Sequence, residues 1–120
     1  MYGKLDVEKW YPMLDPDKPN VVYILRLCND DLYIGSTSDF RRRMQEHEDC
    51  LDLGSRMTRK NPVKEIVFIE NYKTYLLANR REMQIKKWSR AKKEALIADR
   101  LLEVSLLAHG IKPESVVIKT

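Results

Sequence analysis

The sequence predicts an α/β protein of the α+β kind, a small three-stranded antiparallel sheet flanked by three helices. Three observations carry this. Two β-rich runs, Val21 to Leu27 and Leu32 to Ser36, flank a polar turn at Asn29-Asp30-Asp31, the pattern of a hairpin. A third run, Val63 to Glu70, is rich in β-branched residues, includes Phe68 and opens after Pro62. Elsewhere the apolar spacing turns helical, over about residues 39–48, 73–88 and 90–109. At 120 residues, 43% hydrophobic and 33% charged, the chain suits a soluble globular domain with one core.

Residues 1–20 are polar, contain Pro12, Pro16 and Pro19, and read as an irregular arm whose Trp10 and Tyr11 fold back onto the body. The hairpin comes next. Its tyrosines, Tyr23 and Tyr33, share a face only if paired residue numbers sum to an even value. A three-residue loop, Asn29 to Asp31, between paired Cys28 and Leu32 satisfies that condition. Taken singly, each tyrosine suits ordinary strand packing with its hydroxyl at the rim.

Ser38 or Asp39 offers an N-cap for a helix to about Glu48. Positions 40, 43, 44 and 47 share one stripe, so Phe40 and Met44 point at the core and Arg43 and His47 go with them. Arg42 points to solvent. A helix built only for solubility would not set an arginine and a histidine beside its packing residues. Gly54 to Asn61 reads as a loop. On the 73–88 helix, Leu77, Ala78, Ile85 and Trp88 form one broad stripe, with Glu82 near its Ala78/Ile85 side. A carboxylate there pairs with a base, Arg41 or Arg43, or binds Mg²⁺, a hard ion that prefers oxygen ligands. The last helix, about Arg90 to His109, ends at Gly110, a C′ glycine. The expected organisation is an arm (1–20), a body (21–98) and a C-terminal extension (99–120). Leu101, Leu102, Val104, Leu106 and Leu107 in the extension either cover the sheet edge or form a homodimer contact.

The net charge of +4 is unevenly distributed. Residues 54–93 hold 12 Lys/Arg against Glu65, Glu70 and Glu82, whereas residues 1–53 hold 7 basic and 11 acidic groups. Such a basic stretch attracts a phosphate backbone, and Arg56, Thr58, Arg59 and Lys60 lie in its loop, where packing asks little of them. Lys86, Lys87, Lys92 and Lys93 suit a solvated helix face equally well. No apolar run reaches the roughly 18 residues of a membrane span, and no signal-peptide pattern opens the chain, so a cytoplasmic protein is expected. Two cysteines, Cys28 and Cys50, without CxxC spacing and with two histidines in the chain, argue against structural zinc and fit free thiols better than a disulfide.

The stretch VVYILRLCNDDLYIGSTSDFRRRMQEH resembles the GIY-YIG nuclease family. The likeness runs through VVY, YIG at Tyr33 to Gly35, the Arg43-x-x-x-His47 pair, SRMTRKNPVKEIVF and LANRREMQIKKWSRAKKEALI, about residues 20–98. Small single-domain bacterial members are the nearest type; the repair nuclease whose N-terminal domain makes the first incision, and the homing endonucleases, are less similar. The resemblance implies a GIY-YIG nuclease-like fold and hydrolysis of DNA with one divalent metal ion, Mg²⁺ or Mn²⁺. It implies catalytic roles for Tyr23, Tyr33, Arg43 and His47, with Glu82 as the metal ligand. In that scheme Tyr23, its pKa lowered by nearby cations, accepts the proton of the attacking water and His47 relays it. Tyr33 orients the water or the phosphate, Arg43 contacts phosphate oxygens, and the 56–60 loop holds the backbone.

Two positions depart from the family pattern: Val21 stands for the glycine of GIY, and Glu94 stands where many members place an asparagine. The expected partner is DNA, with branched or damaged DNA among the candidate substrates, cut in repair or processing by a monomer or a homodimer. The competing reading is a nucleic-acid-binding module of the same fold with weak or lost catalysis. It would need the basic loop but not Tyr23, His47 and Glu82, and all three are present. A third reading, an interaction protein using its C-terminal helix, rests on that helix's apolar content alone.

Overall fold

The computed structural model describes residues 5–49 and 62–110. Cys50 and the loop carrying Arg56, Thr58, Arg59 and Lys60 lie outside the described residues. In chain order come a 3₁₀ helix (Glu8–Met13), β1 (Asn20–Leu27), β2 (Leu32–Thr37), α1 (Phe40–Asp49), β3 (Val63–Tyr72), α2 (Tyr75–Lys86) and α3 (Arg90–Ala108). The sheet is antiparallel with order β2-β1-β3, so β1 is central and β2, which carries YIG, is an edge.

β1 is apolar without interruption from Val21 to Leu25, and it is buried on both faces. Its odd-numbered residues, Val21, Tyr23, Leu25 and Leu27, pack with Trp10, Phe40, Met44, Ile66, Ile69 and Val104. Its even-numbered residues, Val22 and Ile24, pack with Ile34, Val67, Phe68, Ala78, Ile85 and Ile97. The one core expected from the length is therefore two half-cores with the sheet between them. Each fully buried Ile, Leu or Phe contributes about 1.5–3 kcal/mol. Most of the driving force lies on these two faces.

The hairpin corrects the expected loop. Cys28 does not pair with Leu32; Arg26 does, and the Leu27 N–H donates to the Asp31 carbonyl at 2.9 Å. The three loop residues are Cys28 to Asp30, one position earlier than the composition suggested. Asp30 takes the left-handed conformation that closes such a loop (φ 74°), which aspartate tolerates. Asn29 braces it, its Oδ1 accepting from the Asp31 N–H at 3.0 Å. Cys28 is drawn to the other edge, where its N–H donates to the Pro62 carbonyl at 2.8 Å. Its thiol is free and exposed. Paired numbers still sum to an even value, so Tyr23 and Tyr33 do share a face.

The arm is more regular than expected. Its 3₁₀ helix buries Trp10, while Tyr11 stays at the surface under the Arg41 guanidinium, 4.3 Å from its ring centre. Asn71 at the end of β3 donates from Nδ2 to the Met13 carbonyl at 2.6 Å, tying the arm to the sheet. α2 is capped by Thr74, whose hydroxyl accepts from the Leu77 N–H at 3.2 Å. Its packing stripe is narrower than the sequence pattern: Ala78 and Ile85 are buried, but Leu77 is 45% exposed. One residue turns a helix by about 100°, which carries Leu77 off the face that Ala78 presents to the sheet. α3 is capped by Ser89 and is continuous from Arg90 to Ala108, with Gly110 in the left-handed conformation after it (φ 73°). Ile97 and Val104 are buried and Leu101 packs against both half-cores, so the extension covers the sheet and the arm. Among the described residues no helix is long and apolar enough to cross a membrane.

Candidate active site

Strand pairing and one helix stripe bring four of the predicted side chains together. Tyr23 of β1 and Tyr33 of β2 have ring centres 6.2 Å apart. His47 of α1 stands edge-on to both, at 5.7 Å from Tyr23 and 5.2 Å from Tyr33. Its Nε2 lies 3.0 Å from the Tyr23 hydroxyl, and Arg43, one turn earlier on α1, donates from Nε to that hydroxyl at 3.3 Å. Arg43 also pairs with Glu46 at 2.9 Å. Phe40 packs on Tyr23 with ring centres 6.5 Å apart, closing the cluster from the start of α1.

The glycine of YIG has a steric cause. Gly35 pairs with Tyr23 across the strands, and a Cβ on it would sit 2.6 Å from the Tyr23 hydroxyl oxygen and 2.7 Å from Cζ. The phenol lies over the bare backbone of β2, and only glycine leaves room for it.

Protonation follows from burial. His47 is fully buried, and its pKa falls from 6.5 to about 4, chiefly by desolvation and then by the Arg43 charge, with Glu46 opposing. Arg43 only donates, so the Tyr23 oxygen accepts from it, and the phenol shares its second hydrogen bond with Nε2 of the neutral ring. The contacts form one chain, Arg43 to Tyr23 to His47. The expectation that cations lower the Tyr23 pKa is corrected. Burial raises it, the Tyr33 and Glu82 charges add to the rise, and Arg43 offsets only part. With 1% of its surface exposed, Tyr23 is a neutral phenol inside the cluster; Tyr33 is the more open of the two.

Glu82 approaches from the other side of the edge strand. Side chains alternate along β2, so Ser36 faces α2 while Tyr33 and Gly35 face α1. The Ser36 hydroxyl donates to Glu82 Oε1 at 2.5 Å, and Lys86 Nζ donates to Oε2 at 2.5 Å. The carboxylate's base is therefore Lys86, and neither Arg41 nor Arg43: the first lies over Tyr11 and the second pairs with Glu46. The Glu82 charge still adds a small part to the rise in the Tyr23 pKa. Among the described residues no group of three or more His, Cys, Asp or Glu side chains is placed to hold a metal ion. A carboxylate 14% exposed beside a serine hydroxyl fits a hard divalent cation as a single protein ligand, with water and phosphate oxygens completing the shell.

Glu94, the departure from the family's asparagine, has a different task. Arg26 of β1 grips it with two hydrogen bonds, 2.7 and 3.1 Å, and Arg90 adds a third at 2.9 Å. The Arg26 bonds pull its carboxyl down to about 2, with Arg90 assisting. It clasps α3 to the central strand. Sequence reasoning missed Ser36, Glu46 and Lys86; Glu46 lies three residues from Arg43 and Lys86 four from Glu82, helical pair spacings that were legible. Ser36 carried no signal beyond following YIG.

Sheet, tyrosine pair and Arg-x-x-x-His stripe together define a GIY-YIG domain. The model of that family, described as the GIY-YIG catalytic domain, matches residues 19–95, and the chain belongs to the GIY-YIG family. The family is one of DNA endonucleases that use divalent metal ions. Similar proteins are small. A UPF0213 protein of Natronomonas pharaonis is 40% identical over 78 residues, spanning 65% of this chain and 89% of its own. One from Xanthomonas campestris pv. campestris is 35% identical over 82 residues, 68% of this chain and 78% of its own. The solution NMR structure of a UPF0213 protein from Bacillus halodurans is 32% identical, covers 66% of this chain and 82% of that one, and superposes with a TM-score of 0.44.

Proposed function

We propose that this protein hydrolyses DNA phosphodiester bonds with one Mg²⁺ or Mn²⁺ ion, as a structure-selective or weakly specific endonuclease of repair or processing. The observation that carries the reading is the hydrogen-bonded chain that joins Arg43, the Tyr23 hydroxyl and a buried, neutral His47. Such a chain holds a guanidinium in one orientation, and a module that only bound DNA would have no use for it. Arg43, held by the Tyr23 hydroxyl and by Glu46, is the guanidinium that donates to the scissile phosphate. Tyr33, more open than Tyr23, orients the attacking water. Tyr23 and His47 fix Arg43 from behind. Glu82 is the residue that would hold the cation, which when bound neutralises charge on the phosphate and on the leaving oxygen. Arg56, Thr58, Arg59 and Lys60 grip the flanking backbone, contacts that position DNA without reading its bases.

The test is a panel of duplex, branched and single-stranded DNA, incubated with Mg²⁺ or Mn²⁺ at neutral to alkaline pH. Nicking by the wild type and none by Glu82→Ala is the expected result. Retained DNA binding with no cleavage of any substrate would leave the binding-module reading in its place.

A further inference from the structure

The surroundings of Glu82 carry an inference that rests on the reading of this residue as the cation ligand. Its two oxygens are held differently. Oε1 accepts from Ser36, a short hydroxyl on the edge strand. Oε2 accepts from Lys86, a long side chain one helical turn along α2 that is 52% exposed. A carboxylate removed this far from water needs a compensating charge, and Lys86 supplies it. The pair is nevertheless weak. One partner is largely solvated, four side-chain bonds must be ordered to hold it, and salt screens it. An ion of double charge that favours carboxylate oxygen competes for the same atom with advantage.

We infer that Lys86 is a resident counter-ion of Glu82 that a divalent cation displaces, while Ser36 is a positioning residue that keeps the carboxylate turned toward the vacated side. The two residues then act on the cation with opposite sign. Lys86 competes with it, and Ser36 prepares the ligand for it, as outer-shell hydrogen bonds do for metal-binding carboxylates. The displaced ammonium remains tethered within a turn of the carboxylate, where a phosphate drawn to the same cation meets it. Lys86 thereby changes partner from Glu82 to DNA as the site loads.

The experiment measures Mn²⁺ binding to the intact protein without DNA, by electron paramagnetic resonance and calorimetry, alongside melting in EDTA and in Mn²⁺. Wild type, Glu82→Gln, Lys86→Met and Ser36→Ala are compared. The expected order is loss of the site in Glu82→Gln, binding about two- to fivefold tighter in Lys86→Met, and about tenfold weaker in Ser36→Ala. Lys86→Met also melts lower than wild type in EDTA and gains more from Mn²⁺, because its carboxylate, still held by Ser36, lacks a compensating charge until the ion arrives. Equal or weaker binding by Lys86→Met, with Glu82→Gln still abolishing the site, overturns the counter-ion role and leaves Glu82 as ligand. Equal binding by wild type and Glu82→Gln removes both readings.

Discussion

Acidification should destabilise this protein through one side chain. His47 is fully buried, its Nε2 lies 3.0 Å from the Tyr23 hydroxyl, and burial and Arg43 hold its pKa at about 4. In the unfolded chain the same ring titrates near 6.5. Between those values the unfolded state carries more protons than the folded one, so stability rises with pH across that window. The penalty is absent above about pH 6.5, grows as pH falls, and is complete near pH 4. At about 1.4 kcal/mol per pH unit it reaches about 3 kcal/mol. For a domain of this size that is a fall in melting temperature on the order of 10–20 °C. The chain's two histidines make the assay direct: imidazole proton shifts are followed by NMR from pH 7.5 down, with His47→Gln identifying the signal against His109. Melting curves of wild type and His47→Gln over the same range read the energy. Glu94, held at about 2 by Arg26 against 4.5 in the unfolded chain, adds its own loss of stability below about pH 4.5, so the comparison is read between pH 6.5 and 5. If the His47 ring titrates near 6.5, or if His47→Gln keeps the wild-type slope of stability between pH 6.5 and 5, the reading of His47 as a buried, neutral ring is wrong.

Four further outcomes are expected. Arg43→Ala should slow cleavage at saturating DNA by about two to three orders of magnitude with affinity nearly unchanged, because its donors act on charge developing at the phosphate. Replacing Arg59 and Lys60 by Ala should instead weaken binding and reduce its salt dependence by about two charges; loss of affinity in Arg43→Ala would make it one more backbone contact. Gly35→Ala should cost about 1–3 kcal/mol in urea denaturation, since the new Cβ at 2.6 Å from the Tyr23 hydroxyl meets a ring already backed by Phe40 and His47. Wild-type stability in that variant would show that the ring does not lie on β2. Glu94→Gln should lower stability by about 1 kcal/mol, a modest figure because this carboxylate is 35% exposed, and should leave Mn²⁺ affinity unchanged. A change in Mn²⁺ affinity would return Glu94 to the metal site.

What the sequence by itself determined is what depends on period and on near neighbours. Phe40, Met44 and His47 recur at helical spacing, so all three point inward wherever the helix packs. Tyr23 and Tyr33 share a face because an odd-length loop preserves parity, even though that loop closed one residue earlier than its composition suggested. Only the tertiary structure decided the partners and protonation of the charged and polar groups. Glu82 took Lys86 and Ser36 over either arginine, Glu94 took Arg26 from a strand 68 residues away, and Tyr23 rose in pKa where neighbouring cations were expected to lower it. Side-chain alternation is a local property of the backbone and survives a register change that keeps the parity of paired numbers. Ion pairing and pKa depend on burial and on distances between elements far apart in the chain, and those are set only when the two half-cores close on the sheet.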